Sequence, residues 1–194
     1  MTGYKATRPG GTSFWDGRTR WEVGTTVRVP GRAKRLCAAG VLHWADAPGE
    51  ALSGGHWPCR LFAVSGTVVA RHGHKLGSHS LRVLEELPAW QALGPNGQEV
   101  AALIDRAARL TIDEARGLAA AWDAARDAAL AAARDAARDA ARTATWAAAW
   151  TATRDAPWNA RIAARDAGQA LVVRDLISAH DFELLYRPWQ EVMG

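Results

Sequence analysis

Five of the six histidines fall between residues 43 and 79, at His43, His56, His72, His74 and His79, and the two cysteines, Cys37 and Cys59, stand among them. Cys37-x5-His43 together with His56-x2-Cys59 offers the two-sulfur, two-nitrogen donor set that tetrahedral zinc takes. The spacing is not that of a standard finger, and both thiols sit in apolar runs where a buried cysteine needs no metal. Cys37, His43, His56 and Cys59 are thus the metal candidates. Inert buried thiols are the plainer reading, and no cofactor is expected. Neither cysteine belongs to a CxxC pair. Reduced thiols are the simplest state, with a Cys37–Cys59 disulfide left open.

A second group could bind anions. Arg28, Arg32, Lys34 and Arg35 surround a Pro30-Gly31 turn, with Arg18 and Arg20 upstream and Glu22 as the one acid between 18 and 35. Trp15 and Trp21 are close enough in sequence to offer stacking, so a nucleic-acid or acidic-protein contact is one reading of this patch. A solvated basic loop is the commoner one. Glu85-Glu86 is a candidate catalytic carboxylate. Ser65, Ser78 and Ser80 have histidines nearby, but no triad spacing, nucleophile elbow, P-loop or dinucleotide fingerprint is present.

The elements that must position these groups divide at Gly94-Pro95-Asn96-Gly97, a dense cluster of turn formers. Residues 1–93 read as a small, mostly β, α+β module and 94–97 as a linker. Candidate strands are Thr19–Val29, Leu36–Trp44, Cys59–Val64, Thr67–Ala70 and Ser80–Leu87, with a Gly- and His-rich turn at His72–Ser78 and a short helix at Ala47–Leu52. Residues 98–194 read as helical. Gln98–Leu110 places Val100, Leu103, Ile104 and Ala107 on one face. Thr111-x-x-Glu114 is a capping box, and Asp155-Ala156-Pro157 interrupts the pattern. One helix is therefore expected over about 112–154, a second over Trp158–Ser178, and a short last one over Asp181–Tyr186, before Arg187-Pro188-Trp189. The fold class is α+β.

Composition supports two modules. The chain has 194 residues, 48% of them hydrophobic and 23% charged, as in soluble domains. Much of the apolar fraction is alanine, which buries little surface, so the ten tryptophans must supply core area. Residues 1–97 hold 12 Lys/Arg against 6 Asp/Glu, a net of +6, whereas residues 98–194 hold 12 against 14, a net of −2. Every long apolar run is broken by Arg or Asp, which predicts neither a signal peptide nor a membrane span and suggests a cytoplasmic location.

From Trp122 the sequence runs in fours, WDAA RDAA LAAA RDAA RDAA RTAT WAAA WTAT RDAP WNAR, each unit usually led by Arg or Trp. On a helix at 100° per residue each leading residue sits about 40° further round than the last, so the bulky positions spiral. Trp122 with Leu130 and Trp146 with Trp150 must then meet different surfaces, and Trp122, Trp146 and Trp150 are the candidate partner-binding residues. A helical spacer packed on its own domain is the alternative.

Gly3-Tyr4-Lys5-Ala6, Leu36 through His43, Cys59 through Val64 and Leu81 through Leu87 together resemble a family of uncharacterised small domains of bacteriophage and actinobacterial proteins. Cys37-x-x-Gly40-x-x-His43 is the most specific part of the likeness. Such domains are often followed by Ala-rich repeats, and residues 171–177 and 187–189 look like their closing segment. The resemblance implies a phage or bacterial origin and brings no activity with it. A second likeness is to the small ADP-ribosyltransferase fold, in the order of an early strand, a Gly-x-x-His strand followed by a short helix, and a Leu-Arg-Val strand. That likeness implies NAD binding, with Tyr4, His43 and Glu85 as candidate catalytic residues. The first strand nevertheless carries Tyr4-Lys5 where those transferases carry His or Arg. The expectation is a non-enzymatic accessory protein, with a partner-binding N-terminal module and a helical region for spacing or assembly. An NAD-dependent transferase and a basic nucleic-acid-binding module are the alternatives.

Overall fold

The computed structural model describes residues 1–124 and 152–194. It is an α+β protein of two compact units, Met1–Pro95 and Asn96–Gly194.

The first unit is one antiparallel sheet of seven strands. They are β1 (Thr2–Thr7), β2 (Thr26–Arg28), β3 (Leu42–Ala45), β4 (Arg60–Gly66), β5 (Ala70–His72), β6 (Lys75–Ser78) and β7 (Ser80–Leu87). Their spatial order is β2-β7-β4-β1-β3-β6-β5. The apolar run at 60–66 and the mixed segment at 80–87 become neighbours beside the central strand, as segments with few breakers should. β1 pairs with β4 over six positions but with β3 at a single one, Tyr4 opposite Ala45. The sheet therefore parts between β1 and β3 on the side where Lys5 and His43 lie.

Trp21, Leu42, Trp44, Phe62, Val64, Leu76, Leu81 and Val83 form the core on one face. Trp21 comes from the long β1–β2 connection and is fully buried. Its indole N–H donates to Ser13 Oγ at 2.9 Å, and that of Trp44 donates to Ser78 Oγ at 3.0 Å, so neither burial strands a polar group. Leu61 and Ala63 alternate with Phe62 and Val64 along β4 and are buried too. The 3-10 turns Pro48–Glu50 and Ala89–Leu93 pack against β1 and β4 respectively.

Several strand boundaries differ from expectation. Only Thr26–Arg28 of Thr19–Val29 is a strand, and Leu36–Trp44 shortens to Leu42–Ala45, because Cys37 (φ 60°) and Gly40 (φ 78°) turn the backbone left-handed ahead of it. Residues 72–78, expected as a turn, are mostly a hairpin, with β5 and β6 paired from Ala70 opposite Gly77 to His72 opposite Lys75. The register along β7 slips once, with Val83 opposite Val64 but Glu85 opposite Ala63. This bulge turns Glu85 away from the face that Val83 buries.

The second unit contains α1 (Gly97–Ala107), α2 (Ile112–Ala124), α3 (Trp158–Val173) and α4 (Ala179–Met193). Helix α1 buries the expected Val100, Leu103, Ile104 and Ala107. The capping box forms, with Glu114 N–H donating to Thr111 Oγ1 at 3.2 Å and Thr111 N–H to Glu114 Oε2 at 2.8 Å. The ion pair with Arg106 first, and then the bonds from Thr111, lower the pKa of the Glu114 carboxyl from 4.5 to about 2. Ala160, Ala163, Ala164, Ala167 and Ala170 are buried along α3, which packs against α1, α2 and α4. Alanine serves here by letting helices approach closely. Helix α4 was expected to stop before Arg187-Pro188. It runs through Pro188 to Met193, because burial of Leu185, Pro188 and Trp189 offsets the lost backbone bond. The expected continuous helix over 112–154 falls largely on 125–151, which lie outside the described residues.

Candidate functional site

A cleft of about 380 Å³ opens where β1 and β3 part, in the first unit. Strand β1 supplies Lys5, and the β1–β2 connection supplies Ser13, Trp15, Asp16, Thr19 and Trp21. The chain before and within β3 closes the rim with Val29 and 37–43.

Lys5 is the chemical centre of this cleft. Its Nζ lies 5.2 Å from the centroid of the Trp21 ring. Within the described residues it forms no ion pair and no hydrogen bond, and its electrostatic company is Asp16 (attractive) and Lys75 (repulsive). Burial, opposed by Asp16 and helped by Lys75, lowers its pKa from 10.5 to about 8. A desolvated cation lining a cleft is suited to an anionic ligand.

The cleft wall opposite is a pinned turn. Asp16 accepts the backbone N–H groups of Arg18 at 2.9 Å and Thr19 at 3.0 Å, and the Thr19 hydroxyl at 2.5 Å. Desolvation opposes ionisation of Asp16, but the bonds from Thr19 and Arg18 prevail and hold its carboxyl below the usual range. Gly17 N–H donates to Ser13 O, Ser13 N–H to Thr19 O, and Arg8 to Phe14 O. At the tip of this turn Trp15 is 89% exposed.

The Cys37-x-x-Gly40-x-x-His43 segment is a ring closed on itself. The Cys37 backbone N–H donates to His43 Nε2 at 2.9 Å. Burial, then the charges of Lys75 and Lys5, depress the His43 pKa from 6.5 to about 4, so the ring is neutral and its Nε2 lone pair is occupied. A side chain at Gly40 would stand 2.2 Å from the Pro30 carbonyl oxygen, so only glycine fits there. The signature thus builds the cleft rim. Cys37 itself is exposed, with Lys75 Nζ at 3.5 Å from its sulfur.

Of the other candidates, Arg28, Arg32, Lys34 and Arg35 are exposed, and the last three ride on an arm that leaves the rim at Val29 and rejoins it at Cys37. Tyr4 and Glu85 both lie across from Ala63, on strands β1 and β7, about 10 Å apart at two strand spacings. Neither lines the cleft that His43 lines. Cys59 is buried, and desolvation pushes its thiol up to about 11. His56 packs edge-on against Phe14. Both cysteines are free, and no three His, Cys, Asp or Glu side chains converge among the described residues.

In the second unit Trp122 is 6% exposed, its indole N–H directed at the buried Asp166 carboxylate at 3.4 Å. It packs inside its own unit. Trp146 and Trp150 lie outside the described residues. No helix among the described residues is long and apolar enough to cross a membrane.

The sequence pointed to Trp15, His43 and the basic arm but missed Lys5, Asp16 and Thr19 as a group. The available signal was the Asp16-Gly17 turn before Thr19; nothing in Thr2–Thr7, which mixes Gly, Tyr and Ala with two threonines, marked Lys5. Compared with family models, curated proteins and solved structures, the chain matches none.

Proposed function

We propose that the chain is a non-enzymatic binding protein, an accessory factor of a bacterium or phage, whose N-terminal unit takes a small anionic ligand into the Lys5 cleft. The reading rests on Lys5, a cation drawn into a cleft with no counter-charge bonded to it. The exposed arm of Arg32, Lys34 and Arg35 raises the positive potential at the mouth and speeds capture. The helical unit serves assembly, and its exposed Ile112, Trp158 and Leu176 are the apolar side chains such a contact would use.

The test is thermal unfolding at fixed ionic strength, with pyrophosphate replacing chloride. The parent should be stabilised by roughly 2.7 kcal/mol once pyrophosphate reaches about 100 times its Kd. Lys5→Met should not respond. An equal response of both proteins, or none from the parent at millimolar pyrophosphate, overturns the proposal.

A further inference from the structure

Trp15 is the most exposed of the large apolar side chains that the structure leaves in solvent. Exposure of one tryptophan is common enough at a loose loop. Here the loop is the opposite of loose. Its backbone is tied by the Asp16 carboxylate to two N–H groups and one hydroxyl, and by the Ser13–Thr19 and Gly17–Ser13 bonds. Thr12 bridges to Arg20 at its base, and Trp21 anchors the end of the loop in the core through Ser13. A rigid support that holds an indole in water has the features of a preformed stacking surface, since little conformational entropy is left to lose on binding.

The same cleft holds Lys5, so its lining pairs one exposed aromatic face, that of Trp15, with one desolvated ammonium. At about 380 Å³ it stands at the small end of ligand sites, with room for one ring system and one anionic group. A single-stranded nucleic acid would want a run of aromatic faces along a groove, and the cleft lining offers one exposed tryptophan.

From this pairing we infer that the cleft recognises a mononucleotide, with the base stacked on Trp15 and the phosphate drawn to Lys5. The inference rests on the anion-binding reading above and narrows it to one ligand class. Asp16 accepts three hydrogen bonds from its own loop. Its role is to fix the Trp15 platform.

The experiment is calorimetric titration of the full chain with AMP, ribose 5-phosphate, adenosine and a short single-stranded oligonucleotide, at constant salt. AMP should bind about 5- to 150-fold tighter than ribose 5-phosphate, the range that one base–aromatic stack confers. Trp15→Ala should bring AMP down to the level of ribose 5-phosphate and leave ribose 5-phosphate unchanged. Because Trp15 is in solvent, this variant keeps its fold, which an unchanged unfolding midpoint would verify. If AMP and ribose 5-phosphate bind alike and both depend on Lys5, the nucleotide inference falls while anion binding stands. Binding of neither overturns both. Adenosine binding as tightly as AMP removes Lys5 from recognition, and tight binding of the oligonucleotide without AMP would make the site a nucleic-acid surface instead.

Discussion

Lys5 is where stability and binding pull in opposite directions. Its pKa falls from 10.5 to about 8 because the fold strips water from the ammonium and returns only a ring face and the attraction of the Asp16 carboxylate. The charged form is therefore destabilised in the folded state by something on the order of 3 kcal/mol. The sign of the pH dependence follows. Below pH 8 both folded and unfolded chains carry the proton, and the folded state bears the full cost. Between pH 8 and 10.5 the folded state has released a proton that the unfolded chain still holds, so stability rises with pH. Lys5→Met fits an apolar setting beside Trp21 and removes that cost. At pH 7 it should unfold at a higher temperature than the parent, and the gap should close as pH rises through the window from 8 to 10.5. Pyrophosphate affinity of the parent should move the other way, weakening as pH passes 8 and the amine becomes neutral. Denaturant titrations of the two proteins at pH 7 and pH 10 test the first part. A parent more stable than Lys5→Met at pH 7 would show that the ammonium has structural partners.

At the scale of elements, the cleft depends on how the chain enters β3. The ring closed by Cys37 N–H on His43 Nε2 and the close pass of Gly40 over Pro30 set the rim. Gly40→Ala meets two penalties, a positive φ of 78° and a Cβ 2.2 Å from backbone oxygen. Gly54 has a comparable φ of 85° with nothing within 4 Å, so Gly54→Ala isolates the first penalty. Gly54→Ala should cost about 1–2 kcal/mol, the ordinary price of a left-handed alanine. Gly40→Ala should cost at least about 1 kcal/mol more and weaken pyrophosphate binding, which Gly54→Ala leaves intact. Calorimetric unfolding and titration of both variants would check this, and equal effects would show that the Pro30 contact yields freely. This region also shows what was legible in sequence. The strand at 80–87, the helix over 97–107 and the Thr111–Glu114 cap were readable because each is encoded by local periodicity or a local cap. The strand expected over 36–44 was not, because its apolar letters conceal two left-handed residues. The cleft was only half legible. His43 and Trp15 stood out by type, whereas Lys5 and Asp16 meet only through the tertiary path that carries the β1–β2 connection back over the sheet.

At the scale of the whole molecule, the division of charge coincides with the division of structure. All 12 Lys/Arg and all 6 Asp/Glu of residues 1–97 lie at or before Glu86, inside the unit that ends at Pro95, so this unit carries the whole net charge of +6. It also owns its core, since every member of the Trp21 cluster comes from residues 21–83. A domain of this size with its own sheet and core can fold alone. Residues 1–95 expressed by themselves should therefore unfold cooperatively and bind pyrophosphate within about threefold of the full chain, a difference below roughly 0.7 kcal/mol. Raising salt should weaken both alike, because the same cations screen in each. Residues 96–194, with a net of −2, should show no Lys5-type binding. Far-ultraviolet and near-ultraviolet dichroism of the fragment on heating, followed by calorimetry with pyrophosphate, measures both properties. A fragment that folds with a single transition yet has lost the ligand would mean that the helical unit completes the site, and the cleft between β1 and β3 would then be only part of it.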